Sequence, residues 1–314
     1  MGDCTLSLPK IMDVEKIRLQ TPKESAFSLF MDDFKQLTKV RLAVSVVFSS
    51  VAGYFLAADT PVLIDVILLA FGGYFMVGAS NAFNQVLEKD LDALMDRTEN
   101  RPLPSGRMSV QSAMSIALIL TVLGLLVLYT INTRTALFGG ISIFLYVCVY
   151  TPLKTRTPLA VFVGAFPGAI PFMLGWVAYS NHFGIEPGVL FMIQFFWQFP
   201  HFWAIGWMLD DDYKRAGFKM LPSGHPDNAT AFQIVFYTLW MLVISLLPAT
   251  AYTGSFNLSI IGAVVVGILG LIMLYFALQL MIEKTNEAAR KLMFSSVGYI
   301  TLVQIIYVID KMIA

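Results

Sequence analysis

Nine long apolar segments constrain this chain more than any other feature of its sequence. They cover residues 42–58, 62–83, 110–131, 135–151, 158–180, 188–208, 231–252, 257–281 and 292–312. A helix needs roughly 20 apolar residues to cross a bilayer, and it satisfies its own backbone groups where lipid offers no partner. Strands of a membrane barrel would alternate apolar and polar residues, and these segments do not. The sequence therefore predicts an all-α, polytopic membrane protein with nine transmembrane helices.

Composition agrees with a membrane protein. Hydrophobic residues make up 57% and charged residues 13% of the 314 residues, whereas soluble domains carry about 25% charged residues. The formal net charge is +0, which gives no reason to expect nucleic acid as a partner. We therefore expect the lipid bilayer to be the main partner of this chain.

The basic residues predict the orientation of the chain. All but two of the 21 lysines and arginines lie in the N-terminal tail or in the connections that follow even-numbered segments. Because cytoplasmic loops are enriched in lysine and arginine, we expect the N-terminus in the cytoplasm and the C-terminus outside. The first 40 residues fit neither a secretory signal nor a transit peptide, so we expect a bacterial inner (plasma) membrane.

Two regions are expected along the chain. Residues 1–36 form a cytoplasmic N-terminal tail, and residues 37–314 form the nine-helix domain. Within the tail, the stretch 26–37 (AFSLFMDDFKQL) fits either an amphipathic helix on the membrane surface or a plain soluble segment. The connections 84–109 and 209–230 are long and polar and fall on one side, which suggests where the chemistry takes place.

A polar cluster begins at the end of the second segment. Asn84, Glu88 and Asp92 are spaced i, i+4, i+8, which stacks three oxygen-bearing side chains on one face of a helix. Mg²⁺ takes one or two protein carboxylates and fills its other positions with phosphate oxygens and water. Arg97 and Arg101 follow, and acids for a metal beside bases for phosphate are expected at a diphosphate site. The same spacing also fits a solvated helix end with ordinary ion pairs.

A second charged cluster lies in the connection 209–230. Asp210, Asp211 and Asp212 are consecutive, and adjacent carboxylates repel one another unless a cation or a base is near. Lys214 follows in the same loop. A charged loop taken alone is usually only solvated, but facing the first cluster it would form the second half of one site.

Lys154, in the connection after the fourth segment, has two interpretations. It fits the excess of positive charge expected in a cytoplasmic connection, and it also fits a cationic contact to a diphosphate.

Several ordered stretches of the sequence resemble a known family. Asn84-Gln-x-x-Glu88-x-x-x-Asp92 is similar to the first aspartate-rich motif of the UbiA-type intramembrane prenyltransferases. The exact residues of these stretches are more similar still to the branch of that family that farnesylates protohaem IX. The matching stretches are NQVLEKDLDALM, RTENRPLP, YTPLKTRT, GAFPGAIPFMLGW, PHFWA, DYKRAG and MLP, in this order. The resemblance extends from about residue 37 to the ninth segment.

The resemblance implies a fold and an activity. The nine helices would surround a central cavity, and a farnesyl group would pass from farnesyl diphosphate to a vinyl group of haem b. Addition of water would then give haem O. Mg²⁺ is the implied cofactor, farnesyl diphosphate and haem b are the implied substrates, and a haem A synthase is the suggested protein partner.

The resemblance and the spacing together assign the candidate site residues. The metal ligands would be Asn84, Glu88, Asp92 and Asp212, which with Lys154 form the candidate catalytic set. The diphosphate contacts would be Arg41, Arg97, Arg101, Tyr150, Lys154 and Lys214. Met208 stands where the superfamily has an aspartate four residues before Asp212, so a second metal ion does not carry over.

His201 lies deep in the sixth segment, where an ionisable side chain is costly and is by default a site hypothesis. It would ligate or orient the porphyrin, or it would form a hydrogen bond that packs two helices. The sequence leaves both interpretations open.

Three other functions also stay open. The same chemistry on another acceptor, such as a quinone precursor, depends on cavity walls that the sequence does not show. A secondary transporter would carry ionisable residues or broken helices near the middle of the membrane, whereas these acids gather at helix ends. A structural haem-binding protein would explain His201 but not the acids beside Arg97 and Arg101. The sequence favours the Mg-dependent prenyltransferase.

Overall fold

The computed structural model describes residues 25–313, and all regular structure in that range is helical. The helices are α1 (Ala26–Thr38), α2 (Val40–Ala57), α3 (Leu63–Leu87), α4 (Lys89–Asp92), α5 (Val110–Ile131), α6 (Thr133–Leu153), α7 (Leu159–Ser180), α8 (Ile185–Met208), α9 (Asp210–Arg215), α10 (Asn228–Leu246), α11 (Ile260–Glu283) and α12 (Asn286–Ile313). The prediction of an all-α polytopic protein is confirmed.

Eight helices of the described range are long and apolar enough to cross a membrane, namely α2, α3, α5, α6, α7, α10, α11 and α12. The predicted count of nine is therefore not confirmed by length and composition. The difference is α8, which has 24 residues and, at 1.5 Å per residue, a length of about 36 Å. Its polar side chains Gln194, Gln198 and His201 lower its hydropathy, although the helix packs among the spanning helices.

Two helix boundaries differ clearly from their predictions. The seventh apolar segment was expected to end at residue 252, but α10 ends at Leu246 and a short 3₁₀ turn follows it. The last apolar segment was expected from residue 292, but α12 begins at Asn286. Its first turns contain polar residues, so hydropathy alone does not detect them. Ala288 and Ala289 in these turns are buried, and their packing extends the helix beyond its apolar part.

The stretch 26–37, for which the sequence left both a surface helix and a soluble segment open, forms helix α1. Its exposed face carries Phe27 and Phe30, whereas Asp33 and Leu37 are buried against the bundle. An exposed aromatic face beside a buried face fits a helix lying on the membrane surface, and this location stays a prediction. The rest of the predicted tail, residues 1–24, lies outside the described residues.

The long helices pack side by side in a closed bundle. Neighbours in the chain pack against each other from α5 to α8, and α10, α11 and α12 continue the series. α12 packs on α2, which closes the bundle, and α2 also packs against α7 across it. Both long polar loops end at a capped helix, since Ser109 accepts the Ser112 amide (3.0 Å) and Asp227 accepts the Thr230 amide (2.8 Å).

Two glycines allow the backbones of α2 and α7 to touch. A Cβ on Gly175 would overlap backbone atoms of Ser50 and Tyr54, and a Cβ on Gly53 would overlap the carbonyl group of Phe172. Small residues at such crossings let membrane helices approach closely. This contact joins the first helix of the bundle to the helix that follows the site connection described below.

We expect Gly175→Ala to destabilise the protein because its new methyl group meets backbone rather than a mobile side chain. Overpacking of this kind costs about 1–3 kcal/mol. The matched control is Gly267→Ala, since a Cβ at Gly267 meets no atom within 4 Å. Thermal unfolding in detergent measures the effect. Equal melting temperatures for the two variants would contradict a close α2–α7 contact.

Candidate active site at one end of the helix bundle

Three polar connections meet at one end of the bundle. The Lys154 ammonium, after α6, lies 2.8 Å from the Glu88 carboxylate at the end of α3. The amide of Lys219, in the second long loop, donates to the carbonyl oxygen of Lys154 (2.7 Å). Arg215 of the second loop pairs with Asp96 of the first loop (2.7 Å). The two long loops therefore face each other, as the sequence predicts.

The polar series at the end of α3 stays stacked although its helix is interrupted. α3 ends at Leu87, and Glu88 leaves helical geometry (φ −102, ψ 11) before α4 begins. The Glu88 amide still donates to the Asn84 carbonyl (2.9 Å), and the Asp92 amide donates to the Glu88 carbonyl (2.7 Å). Asn84, Glu88 and Asp92 are 2%, 4% and 1% exposed, so these side chains are not a solvated helix end.

Each buried carboxylate has a cationic partner. Lys154 Nζ lies 2.8 Å from Glu88 Oε1 and 3.1 Å from Oε2. Arg101 donates to Asp92 at 2.7 Å. Removing one partner of a buried pair costs about 3–5 kcal/mol, because the other charge stays buried and uncompensated. The two cations therefore balance the two acids of the site.

A π-helical turn in α6 places the other polar partner of the series. The turn spans Leu145–Tyr150, and such wide turns are frequent at functional sites. Thr151 donates its hydroxyl to the Tyr146 carbonyl (2.9 Å) and accepts the Asn84 side-chain amide (3.2 Å). Asn84 is thereby oriented by α6, a contact that sequence spacing does not reveal.

Lys154 is held in its charged form. Its Nζ lies 4.7 Å from the centroid of the Tyr150 ring. Burial lowers the pKa of Lys154, but the Glu88 carboxylate outweighs burial, so that the pKa lies above its ordinary value. Lys154 thus lies between Glu88 and the Tyr150 ring, and the contact of Lys154 and Tyr150 with a diphosphate stays a prediction.

Lys39 is a cation of the site that the sequence argument did not select. It joins α1 to α2 with a left-handed backbone (φ 49). Burial, followed by the charges of Arg101 and Lys154, lowers the pKa of Lys39 to about 7, while Glu88 and Asp92 act in the opposite direction. The signal was available in the stretch Leu-Thr-Lys-Val-Arg, in which the family resemblance directed attention to the arginine.

Two side chains of α3 hold the turn that carries Lys39. Gln85 donates to the Leu37 carbonyl (2.8 Å), and Asn81 donates to the Thr38 carbonyl (3.4 Å). They satisfy backbone oxygens that the end of α1 leaves without helical partners. α3 therefore supports the turn that carries this third cation, and its C-terminal end leads directly into the segment that carries the two acids.

The other predicted residues have different positions. Arg41 and Arg97 are exposed, and the buried group does not include them. Lys214 pairs with Asp210 (2.5 Å), and Asp212 pairs with Arg215. Their roles in binding diphosphate or metal stay predictions.

The donor atoms fit a Mg²⁺–diphosphate ligand. No group of three or more acidic, histidine or cysteine side chains in residues 25–313 is placed to share a metal ion. Asp212 therefore does not join the two buried acids. Mg²⁺ needs only one or two carboxylates when phosphate oxygens and water complete its shell. Glu88 and Asp92, with the amide oxygen of Asn84, meet this need, and the nearby cations suit the diphosphate.

An apolar cleft begins one helical turn before Asn84. It is lined by α2, α3, α5, α6 and α7, and its volume is about 40 Å³. Ser80 and Met76 of α3, Ile143 of α6 and Leu174 of α7 are among its walls. Since Ser80 precedes Asn84 by one turn, the cleft leads from the polar site into the apolar interior of the bundle.

His201 lies between α8 and α12. Its Nδ1 is 2.8 Å from the Ser296 hydroxyl, and its ring stacks on Trp197 with centroids 4.8 Å apart. Trp197 also donates to the Ser296 carbonyl (2.6 Å). These contacts support the packing role, and a contact of His201 with haem stays a prediction.

Apolar helices carry a buried, charge-balanced polar site at one end and an apolar cleft near it, which is the arrangement expected of an intramembrane enzyme that binds a diphosphate. The sequence matches the UbiA prenyltransferase family over residues 46–298. The chain belongs to this family.

Two similar proteins carry the name of an enzyme of this family. The chain is 65% identical over 296 residues to a protein of Christiangramia forsetii named protoheme IX farnesyltransferase, covering 94% of this chain and 97% of that protein. A protein of the same name from Flavobacterium psychrophilum is 61% identical over 283 residues, covering 89% and 94%.

Solved structures share the fold. A digeranylgeranylglyceryl phosphate synthase has a TM-score of 0.74 at 18% identity, covering 89% of this chain and 98% of that one. A UbiA homologue from Archaeoglobus fulgidus bound to DMAPP and Mg²⁺ has a TM-score of 0.64 at 14% identity, covering 86% and 99%.

The low pKa of Lys39 predicts a pH dependence of diphosphate binding. With a pKa of about 7, the ammonium is charged below that pH and loses its charge as the pH rises. A diphosphate binds the charged form better, so its Kd is expected to rise above pH 7, by at most about tenfold per pH unit for one proton.

Lys39→Arg keeps its charge at every pH of interest and is the matched control. Calorimetry with inorganic diphosphate between about pH 6 and about pH 9 measures both proteins, and the ligand's own titration is common to them. Parallel pH profiles for wild type and Lys39→Arg would show that Lys39 does not meet the diphosphate.

Proposed function

We propose that this protein transfers the farnesyl group of farnesyl diphosphate to a vinyl group of haem b, with addition of water, which yields haem O. One observation carries the proposal: two buried acids, Glu88 and Asp92, face Lys154 and Arg101 beside an apolar cleft. The choice of haem as acceptor is supported by the relatives named protoheme IX farnesyltransferase.

The cations of the site would stabilise the leaving group. Lys154 and Arg101 pair with the two acids, and Lys39 is near enough for their charges to shift its pKa. These three cations would neutralise the charge that builds on the departing diphosphate. Glu88, Asp92 and Asn84 would hold Mg²⁺, which supplies further charge stabilisation when bound. Ionisation of this kind needs no general base on the protein.

The C1–O bond of farnesyl diphosphate breaks, and its electron pair leaves with the diphosphate. The vinyl π electrons of haem b form a new C–C bond to C1, which leaves a cation beside the porphyrin ring. Water adds to this cation and loses one proton to solvent, giving a hydroxyethylfarnesyl group.

The apolar cleft would receive the isoprenoid chain. Its volume of about 40 Å³ is close to the share of a single water molecule in the liquid, about 30 Å³. A chain of fifteen carbons therefore requires side chains of the cleft to move. Met76 is suited to this change, because methionine is unbranched and adapts its shape.

We further propose that the site end of the bundle faces the cytoplasm of a bacterial inner membrane. The excess of lysine and arginine in the connections at the site end supports this side. α2 begins beside the site, whereas Lys311 near the end of α12 donates to the Ala58 carbonyl at the far end of α2. The termini would then lie on opposite sides, with the N-terminus inside. The haem A synthase partner stays a prediction.

A turnover assay with purified protein, haem b, farnesyl diphosphate and Mg²⁺ tests the function by mass spectrometry. We expect haem that is heavier by one farnesyl group and one hydroxyl group, and we expect EDTA to abolish it. Farnesyl transfer to a quinone precursor instead of haem would move the function to another acceptor. A folded protein that consumes no farnesyl diphosphate would contradict the proposed prenyltransferase activity and would favour the secondary transporter.

Glu88→Gln and Asp92→Asn are expected to lower turnover by at least about 100-fold, because each removes a carboxylate that would hold the metal. Each variant keeps the size of the side chain but leaves a cationic partner, Lys154 or Arg101, without its counter-charge, so a loss of stability of about 3–5 kcal/mol is also expected and is measured as a melting temperature beside turnover. Asp90→Asn is the matched control, since Asp90 lies on α4 with an exposed side chain. Near-normal turnover by either site variant would remove it from the metal site.

A further inference from the structure

A second aromatic ring covers Lys154 from the second long loop. Phe218 is 8% exposed, and its ring centroid lies 5.5 Å from Lys154 Nζ. With Tyr150 at 4.7 Å, the ammonium has two ring faces and one carboxylate, Glu88, as neighbours. Phe218 is a loop residue, and neither the charge pattern of the sequence nor the family resemblance assigns it a role.

Backbone contacts fix this ring over the ammonium. Gly217 has a φ of +71, a conformation that favours glycine, and it turns the chain directly before Phe218. The Phe218 amide donates to the Tyr213 carbonyl (2.8 Å). On the next residue, the Lys219 amide donates to the carbonyl of Lys154 itself (2.7 Å). The loop is therefore anchored to the residue whose side chain it covers.

The Lys219 side chain adds a second anchor. Its ammonium donates to the Arg156 carbonyl (3.2 Å), on the same α6–α7 connection. The segment 217–219 is thus attached to this connection at two places, on Lys154 and two residues beyond it. Such attachment holds the Phe218 ring in place without using the Lys154 ammonium.

Ring faces suit a cation that must also bind a ligand. A lysine ammonium has three hydrogen-bond donors, and a carboxylate or a carbonyl would occupy them. An aromatic face attracts the ammonium through its quadrupole and leaves those donors available. Two rings can therefore hold Lys154 near the diphosphate while its hydrogen bonds pass from Glu88 to phosphate oxygens.

We propose that Phe218 is a positioning residue for prenyl transfer, which aims the Lys154 ammonium at the diphosphate and closes the site against water from the loop side. This inference rests on the proposed function. Without the ring, water would reach C1 as the diphosphate leaves. The water oxygen would bond to C1 and lose one proton to solvent, giving farnesol and free diphosphate in place of the haem product.

Three substitutions separate the two effects of the ring. Phe218→Leu keeps an apolar cover but loses the aromatic face, and we expect KM for farnesyl diphosphate to rise about threefold to tenfold with a smaller change in kcat. Phe218→Tyr keeps the face and is expected to restore KM. Phe218→Ala opens the cover, and farnesol is expected to rise severalfold as a share of the products.

Phe256→Leu is the matched control for lost packing. Phe256 is buried in a loop outside the site and packs on Tyr307 with ring centroids 5.2 Å apart. KM and product share are measured for all variants on the detergent-purified, full-length protein with Mg²⁺, and melting temperatures are recorded beside them.

An unchanged KM in Phe218→Leu, or an unchanged farnesol share in Phe218→Ala, overturns the inference. A raised KM that Phe218→Tyr does not restore, or that Phe256→Leu reproduces, also overturns it, because packing alone would then explain the effect. If wild-type protein forms no haem adduct, the proposed function fails. If wild type forms the adduct and the variants match it, only the role of Phe218 fails.

Discussion

The buried pair of Glu88 and Lys154 is the interaction on which the rest of the site depends. It joins the end of α3 to the connection after α6, at a point where neither charge is solvated. Burying two ions costs several kcal/mol each, and their attraction offsets this cost only with good geometry and further hydrogen bonds. A pair of this kind adds little stability compared with apolar packing, so its presence is better explained by what the two charges bind.

The surrounding contacts are arranged around this pair. The backbone of Lys154 receives the second loop through Lys219, and the neighbouring Thr151 orients Asn84. Asp92 and Arg101 repeat the same acid–base pattern in the first loop. Each acid of the site therefore has a base as its partner. A metal ion and a diphosphate, entering together, offer the acids a cation and the bases an anion.

Much of the fold was predictable because burial in lipid leaves few alternatives to long apolar helices. The exception was α8, where buried polar groups such as Gln194 bond to other helices, Gln304 of α12 among them. Hydropathy counts these groups as if they faced lipid. The spacing of Glu88 and Asp92 predicts that they lie on one face. It does not predict the break of the helix at Glu88, because the i, i+4 hydrogen bonds of a continuous helix persist on both sides of the break.

The rest of the site depends on loop geometry that a local pattern does not contain. Lys39 lies near the charges of the site, whereas Arg41 is exposed, and a left-handed turn at Lys39 separates α1 from α2. The pairing of Arg215 with Asp96, and the placement of Phe218 over Lys154, join residues far apart in the chain. Such contacts follow from packing of the loops and not from any single motif.

The most direct test of this account is an experimental structure of the protein with Mg²⁺ and a non-hydrolysable farnesyl diphosphate analogue. The account predicts that the Lys154 ammonium leaves Glu88 for a phosphate oxygen, and that Glu88 and Asp92 contact the metal ion instead. A structure in which the Glu88–Lys154 pair stays intact while the diphosphate binds elsewhere would contradict it.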